Sequence, residues 1–170
     1  MRQYRLITPD GVKDTLFSEC REGRSLEKKI CRMLAGACYN EVRTPILEFY
    51  DVFSVDGRLP LEEMYKLTDS SGKLLVMRPD NTLPVVRLVS SKLKDAPLPV
   101  RIYYNQPSFR INQSMKGVSN ENPQIGVELI GAGGSHIASL EHVRYPCFAA
   151  VEAAQGSGAC HNGYRALCVG

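Results

Sequence analysis

Two β-rich runs, PVRIYYNQPSFRIN (residues 99–112) and PQIGVELIG (residues 123–131), flank a polar loop rich in Asn, Ser and Gly. Val, Ile, Tyr and Phe in such runs favour a pleated, half-buried backbone, so the chain must build a sheet around them. Successive strand side chains point to opposite faces, which puts Gln124 and Glu128 on one face. Arg110 lies near the end of the first run. If the segment is a hairpin, Arg110, Gln124 and Glu128 line one pocket.

The remaining segments alternate in type. Over residues 18–38, Leu26, Ile30, Met33, Leu34 and Ala37 recur at helical spacing, with Arg24, Glu27, Lys28 and Arg32 on other faces. Gly23 weakens the first turn of that helix. YNEVRTPILEFYDVF then turns extended, because Pro45 disfavours helix at Thr44. EEMYKLTDSSGKLLVMRPD reads as a hairpin turning at Asp69-Ser70-Ser71-Gly72. NTLPVVRLVSSKL follows as a helix, with Pro84 tolerated in its first turn. Helices alternating with hairpins predict an α+β fold with a mostly antiparallel sheet. In residues 135–170, Pro146 interrupts a weak apolar helical face, and Gly156, Gly158 and Gly163 follow. That tail is read as divergent or truncated, and residues 1–134 as the organised part.

A chain of 170 residues with 44% hydrophobic residues is ordinary globular material. The net charge of +3 is spread along the chain without a basic stripe, which argues against a dedicated nucleic-acid binder. No apolar run reaches the roughly 20 residues that a membrane span needs. The N-terminus MRQYRLITPDG is too polar for a signal peptide, so a cytoplasmic protein is expected. Cys147, Cys160 and Cys168 lie near His136, His142 and His161, but their spacings match no zinc pattern. No metal and no cofactor is expected. Cys20, Cys31 and Cys38 read as reduced thiols without function.

These residues carry a resemblance. A long helix followed by EVRTP resembles the first signature of class II aminoacyl-tRNA synthetases, whose proline lies at a dimer interface; here that is Pro45. EMYKLTDSSGKLLVMRPDNT resembles the histidyl branch of the class, with its Arg-Pro-acid-x-Thr motif. VRIYYNQPSFRIN and PQIGVELIG are similar to the second signature and the histidine-binding strand after it. Several motifs in order over about residues 6–134 make the likeness specific. It implies a class II synthetase-like antiparallel sheet flanked by helices, incomplete at the C-terminus.

Two families share this layout: histidyl-tRNA synthetase, and its catalytically silent paralogue, the regulatory subunit of ATP phosphoribosyltransferase. The synthetase carries an acid two residues after the motif arginine, where this chain has Asn112. Its loop carries a Gly-Arg-x-Arg-Glu-Phe run, where this chain has SMKGVSNENP with Lys116 as the one cation. Adenylate formation brings polyphosphate and carboxylate together and needs several organised cations. The third class II signature would lie beyond residue 170. The resemblance therefore favours the regulatory subunit, with no catalytic residues of its own. It implies the catalytic subunit of ATP phosphoribosyltransferase as partner, self-association, and free histidine as a ligand. A fragment of histidyl-tRNA synthetase, or a degenerate fragment, stays open.

The resemblance also implies a histidine-like pocket formed by Asp80, Thr82, Arg110, Gln124 and Glu128. Asp80 stands where the synthetase has a glutamate, one methylene longer. Each position has a structural alternative. Arg110 would pair with Glu128 across the hairpin. Asp80 would cap the helix that begins near Thr82.

Overall fold

The computed structural model describes residues 4–54, 59–112 and 119–131, and residues 165–169 as a backbone strand. The first helix, α1 (Phe17–Gly36), buries Gly23, Leu26, Ile30 and Leu34 at helical spacing. It ends at Ala37, after which Cys38 takes a left-handed conformation with φ 64°. The Cys38 amide donates to the Ala35 carbonyl at 3.0 Å and the Tyr39 amide to that of Leu34 at 3.1 Å. This is a Schellman closure, with buried Tyr39 and Leu34 as its apolar partners.

The segment around Pro45 forms β1 (Asn40–Glu41) and β2 (Leu47–Phe49). It was expected to stay extended through Phe53, but Asp51–Ser54 makes a short helix, α2. One turn is too short to leave a periodic trace in the sequence. The expected hairpin forms from β3 (Lys66–Thr68) and β4 (Leu74–Met77). Asp69 Oδ1 accepts from the Ser71 and Lys73 amides, both at 2.8 Å, and Gly72 supplies the positive φ that the turn requires. Next comes α3 (Thr82–Lys92), with Pro84 in its first turn as expected.

The central sheet orders β1, β5 (Val100–Asn105), β8 (Gln124–Ile130) and β9 (Arg165–Val169). Between β5 and β8, the short pair β6 (Ser108–Phe109) and β7 (Glu121–Asn122) closes the expected hairpin. The β5–β8 ladder is antiparallel, but β1–β5 and β8–β9 are parallel. This α+β sheet is therefore mixed. Within residues 135–170, β9 lies along the outer edge of β8. Side chains at Cys147, Cys160, Cys168, His136, His142 and His161 lie outside the described residues.

Helices cover both faces of this sheet. On one, Val85 of α3 packs with Ile102 and Tyr104, flanked by Val89, Leu93 and Val100. On the other, Cys31 of α1 reaches the Asn105 side chain. A separate three-stranded sheet, β2-β4-β3, packs Val76 against Phe53 and Met64. Among the described residues, no helix is long and apolar enough to cross a membrane.

Candidate ligand-binding site

The start of α3 lies against β8. Asp80 Oδ1 accepts from the Thr82 amide at 2.8 Å and the Leu83 amide at 3.4 Å, so Asp80 caps the helix. The cap fixes residues 80–82 as a short rail along the strand. At one end, Asn81 Nδ2 donates to Gln124 Oε1 at 2.5 Å. At the other, the Thr82 side chain hydrogen-bonds the Glu128 carboxylate, and the Asp80 charge acts on the same group. Between them, Gly126 faces Tyr104 across the ladder. A Cβ on Gly126 would come within 2.3 Å of the Tyr104 ring, so glycine lets that ring lie flat across the strand. The structure thus brings Asp80, Thr82, Gln124 and Glu128 together.

Glu128 is the electrostatic centre of the group. It is 4% exposed, and its Oε1 has no hydrogen-bond partner among the described residues. Burial pushes its carboxyl up to about 7, the Asp80 charge pushes the same way, and the Thr82 hydrogen bond opposes them. Arg87 pairs with Glu48 at 2.6 Å.

Arg110 is placed differently. Its Nε lies 3.4 Å from Glu63 Oε2 without hydrogen-bond geometry, and its side chain is partly exposed. The structural alternative that paired Arg110 with Glu128 is not what forms; the carboxylate beside Arg110 is Glu63. Asn112 closes the base of the loop: its Nδ2 donates to the Ser119 carbonyl at 2.9 Å, and its amide to Asn120 Oδ1 at 2.9 Å. A carboxylate at position 112 could not make the first of these bonds.

Sequence reasoning missed the polar scaffold behind the site. Arg78, 2% exposed, donates from Nε to the Pro107 carbonyl at 2.8 Å. Its Nη1 reaches the Thr44 and Pro45 carbonyls at 2.8 and 2.9 Å. Burial pushes this guanidinium down to about 10, the charge of Glu48 opposes that and Arg43 adds to it, so it stays charged near neutral pH. Gln106 Nε2 donates to Thr44 Oγ1 and to Asn81 Oδ1, both at 2.9 Å. The chain Thr44–Gln106–Asn81–Gln124 is therefore continuous and buried. Two of these residues had a signal: Arg78 continues the alternation of buried Val76, and Gln106 that of Ile102 and Tyr104.

Pro45 is exposed and lies two residues before the start of β2 in the three-stranded sheet. Register places Leu47, Phe49, Leu67, Leu75 and Met77 on one face of that sheet. Leu47, Phe49 and Leu67 are 45%, 48% and 42% exposed, which leaves apolar side chains of this sheet open to solvent.

Comparison with known proteins agrees with this architecture. The family model described as Histidyl-tRNA synthetase matches residues 11–155. The chain belongs to the histidyl-tRNA synthetase family. Within it, the chain is 44% identical over 132 residues to the ATP phosphoribosyltransferase regulatory subunit of Acetivibrio thermocellus, covering 77% of this chain and 32% of that one. The protein of the same name from Bacillus anthracis is 40% identical, over 87% of this chain and 37% of its own. The chain spans about a third of the length of these family members. Among solved structures, an ATP phosphoribosyltransferase regulatory subunit/histidyl-tRNA synthetase from Bacillus halodurans aligns with TM-score 0.70 and 30% identity, over 84% of this chain and 39% of that one. The apo histidyl-tRNA synthetase of S. aureus gives 0.67 and 29%, over 81% and 34%. The regulatory branch of the family is thus the one favoured over the synthetase branch.

Proposed function

We propose that this chain is the N-terminal part of a regulatory subunit of ATP phosphoribosyltransferase. It would do no chemistry itself and would act on the catalytic subunit at the first step of histidine biosynthesis, in the cytoplasm. The observation that carries the reading is Asn112. Where adenylate chemistry wants a carboxylate, this chain has an amide donating to the Ser119 carbonyl. Names of relatives at 40–44% identity support the same assignment. The test has two arms. The chain should be captured by the catalytic subunit and alter its phosphoribosyl transfer. With ATP and histidine it should give only background pyrophosphate exchange. Clear histidine-dependent exchange would instead favour the synthetase reading.

The site at α3 and β8 is read as a ligand cradle, with histidine as the ligand. Asp80, Thr82 and Glu128 would take the ammonium group, and Gln124 would offer its amide hydrogens, since its oxygen already accepts from Asn81. Arg110, only loosely held by Glu63, would take the carboxylate. Calorimetric titration with histidine should show binding that Arg110→Ala weakens about ten- to hundredfold, as one lost charge-assisted contact implies. Undiminished binding in that variant would remove Arg110 from the site.

Self-association would use Pro45 and the face of the three-stranded sheet that carries Leu47, Phe49 and Leu67. Sedimentation should show an oligomer that Phe49→Lys dissociates. A monomeric wild type would count against this surface.

A further inference from the structure

The Asp80–Glu128 pair poses a charge problem that the fold leaves open. Two carboxylates meet at the start of α3, one of them almost wholly buried with an unpartnered oxygen. Among the described residues, the neighbours of Glu128 come from α3, β5 and β9. From α3 come Asp80 and the Thr82 hydroxyl. From β5 comes Ile102, directly opposite in the ladder, with the Tyr104 ring beside it across Gly126. From β9 the register partner is Val169. None of these is a cation. Arg87 is held by Glu48, Arg110 lies by Glu63, and Arg78 is spent on three backbone carbonyls. A buried carboxylate without a cation must be neutralised by a proton or by a ligand.

We propose that ligand binding here is an exchange: the empty site carries a proton on Glu128, and an organic ammonium group displaces it. The Glu128 O–H bond breaks and its proton passes to solvent. The electron pair left on the carboxylate then accepts a hydrogen bond from the incoming ammonium. Net charge inside the site is conserved, which is why the swap is favourable in a dry environment. The elevated carboxyl of Glu128 is what this geometry requires in the empty state. The inference rests on the ligand-cradle reading above and adds its regulation. Affinity for the ammonium ligand falls as the medium becomes more acidic than the Glu128 midpoint, by up to about tenfold per pH unit.

The experiment is a carboxyl NMR titration of the chain with isotope-labelled glutamate, run with and without saturating L-histidine. The Glu128 signal is assigned by its loss in Glu128→Gln. The expected result is a near-neutral midpoint in the free protein that drops by at least about one unit when histidine is present. A midpoint in the ordinary carboxylate range for the free protein overturns the proposal. So does a near-neutral midpoint that histidine leaves unmoved while other resonances report binding. If no resonance responds to histidine at any pH, the ligand-cradle reading fails and the exchange falls with it. That outcome differs from the preceding one by the absence of any binding signal.

Discussion

Asn81 Nδ2 donates to Gln124 Oε1 at 2.5 Å, and Asn81 Oδ1 accepts from Gln106 Nε2 at 2.9 Å. One fully buried amide thus orients the candidate ligand-binding glutamine and ties it to the segment before Pro45 through Gln106 and Thr44. Such a network is worth most when every member is satisfied. Asn81→Ala would strand two buried amide groups at once. At about 1–3 kcal/mol for each unsatisfied group, the expected loss is about 2–6 kcal/mol. Urea unfolding should show a lower midpoint with an unchanged slope. A variant as stable as the wild type would mean that the network contributes nothing.

Arg78 holds three carbonyls from two separate stretches, Thr44 and Pro45 on one side and Pro107 on the other. A rigid fork suits this task, and a single ammonium does not. Arg78→Lys should therefore be less stable than the wild type, and Arg78→Met less stable again. The full loss is expected at about 3 kcal/mol or more, as for other broken buried networks. Thermal melts of the three proteins check the order. Equal melting of the lysine and arginine forms would show that charge alone matters there.

Cys38 sits with φ 64° just past the end of α1, a conformation that glycine adopts without a Cβ penalty. Cys38→Gly should raise stability by about 1 kcal/mol, somewhat offset by the added freedom of the unfolded chain. The thiol is exposed, so no buried contact is lost. A drop in melting temperature would mean that Cys38 makes a contact worth more than its strain.

What the sequence made legible was local. The repeat of Leu26, Ile30 and Leu34 located α1, Asp69 and Gly72 located the hairpin turn, and Pro84 fixed the register of α3 at its first turn. What it hid was set by distant partners. The parallel pairing of β1 with β5 joins residues 62 apart, such as Asn40 and Ile102, and no spacing rule announces it. The same holds for Arg110, whose neighbour is Glu63 and not Glu128 on the adjoining strand. Buried polar residues are the hardest. Asn81 looks in sequence like any surface amide, and only the closed network reveals that it is interior.

Glu128 gives the sharpest pH signature. Its carboxyl is raised from 4.5 to about 7, chiefly by burial. Below the lower value the group is protonated in both the folded and the unfolded chain, and it contributes nothing to stability. Between the two values the unfolded chain ionises while the folded one keeps its proton, so stability falls as pH rises. Above about 7 both are ionised, and the folded state carries the full penalty of a buried charge. That penalty is about 3 kcal/mol at about 1.4 kcal/mol per pH unit. Glu128→Gln keeps the shape and removes the charge. Its stability relative to the wild type should be near zero in the acid range, should grow through the window, and should level off at about 3 kcal/mol above it. Denaturant unfolding of the two proteins at a series of pH values measures the difference directly, with titrations common to both cancelling. A difference that stays flat across the window would show that Glu128 is solvated in the folded chain, and the charge problem at its site would disappear.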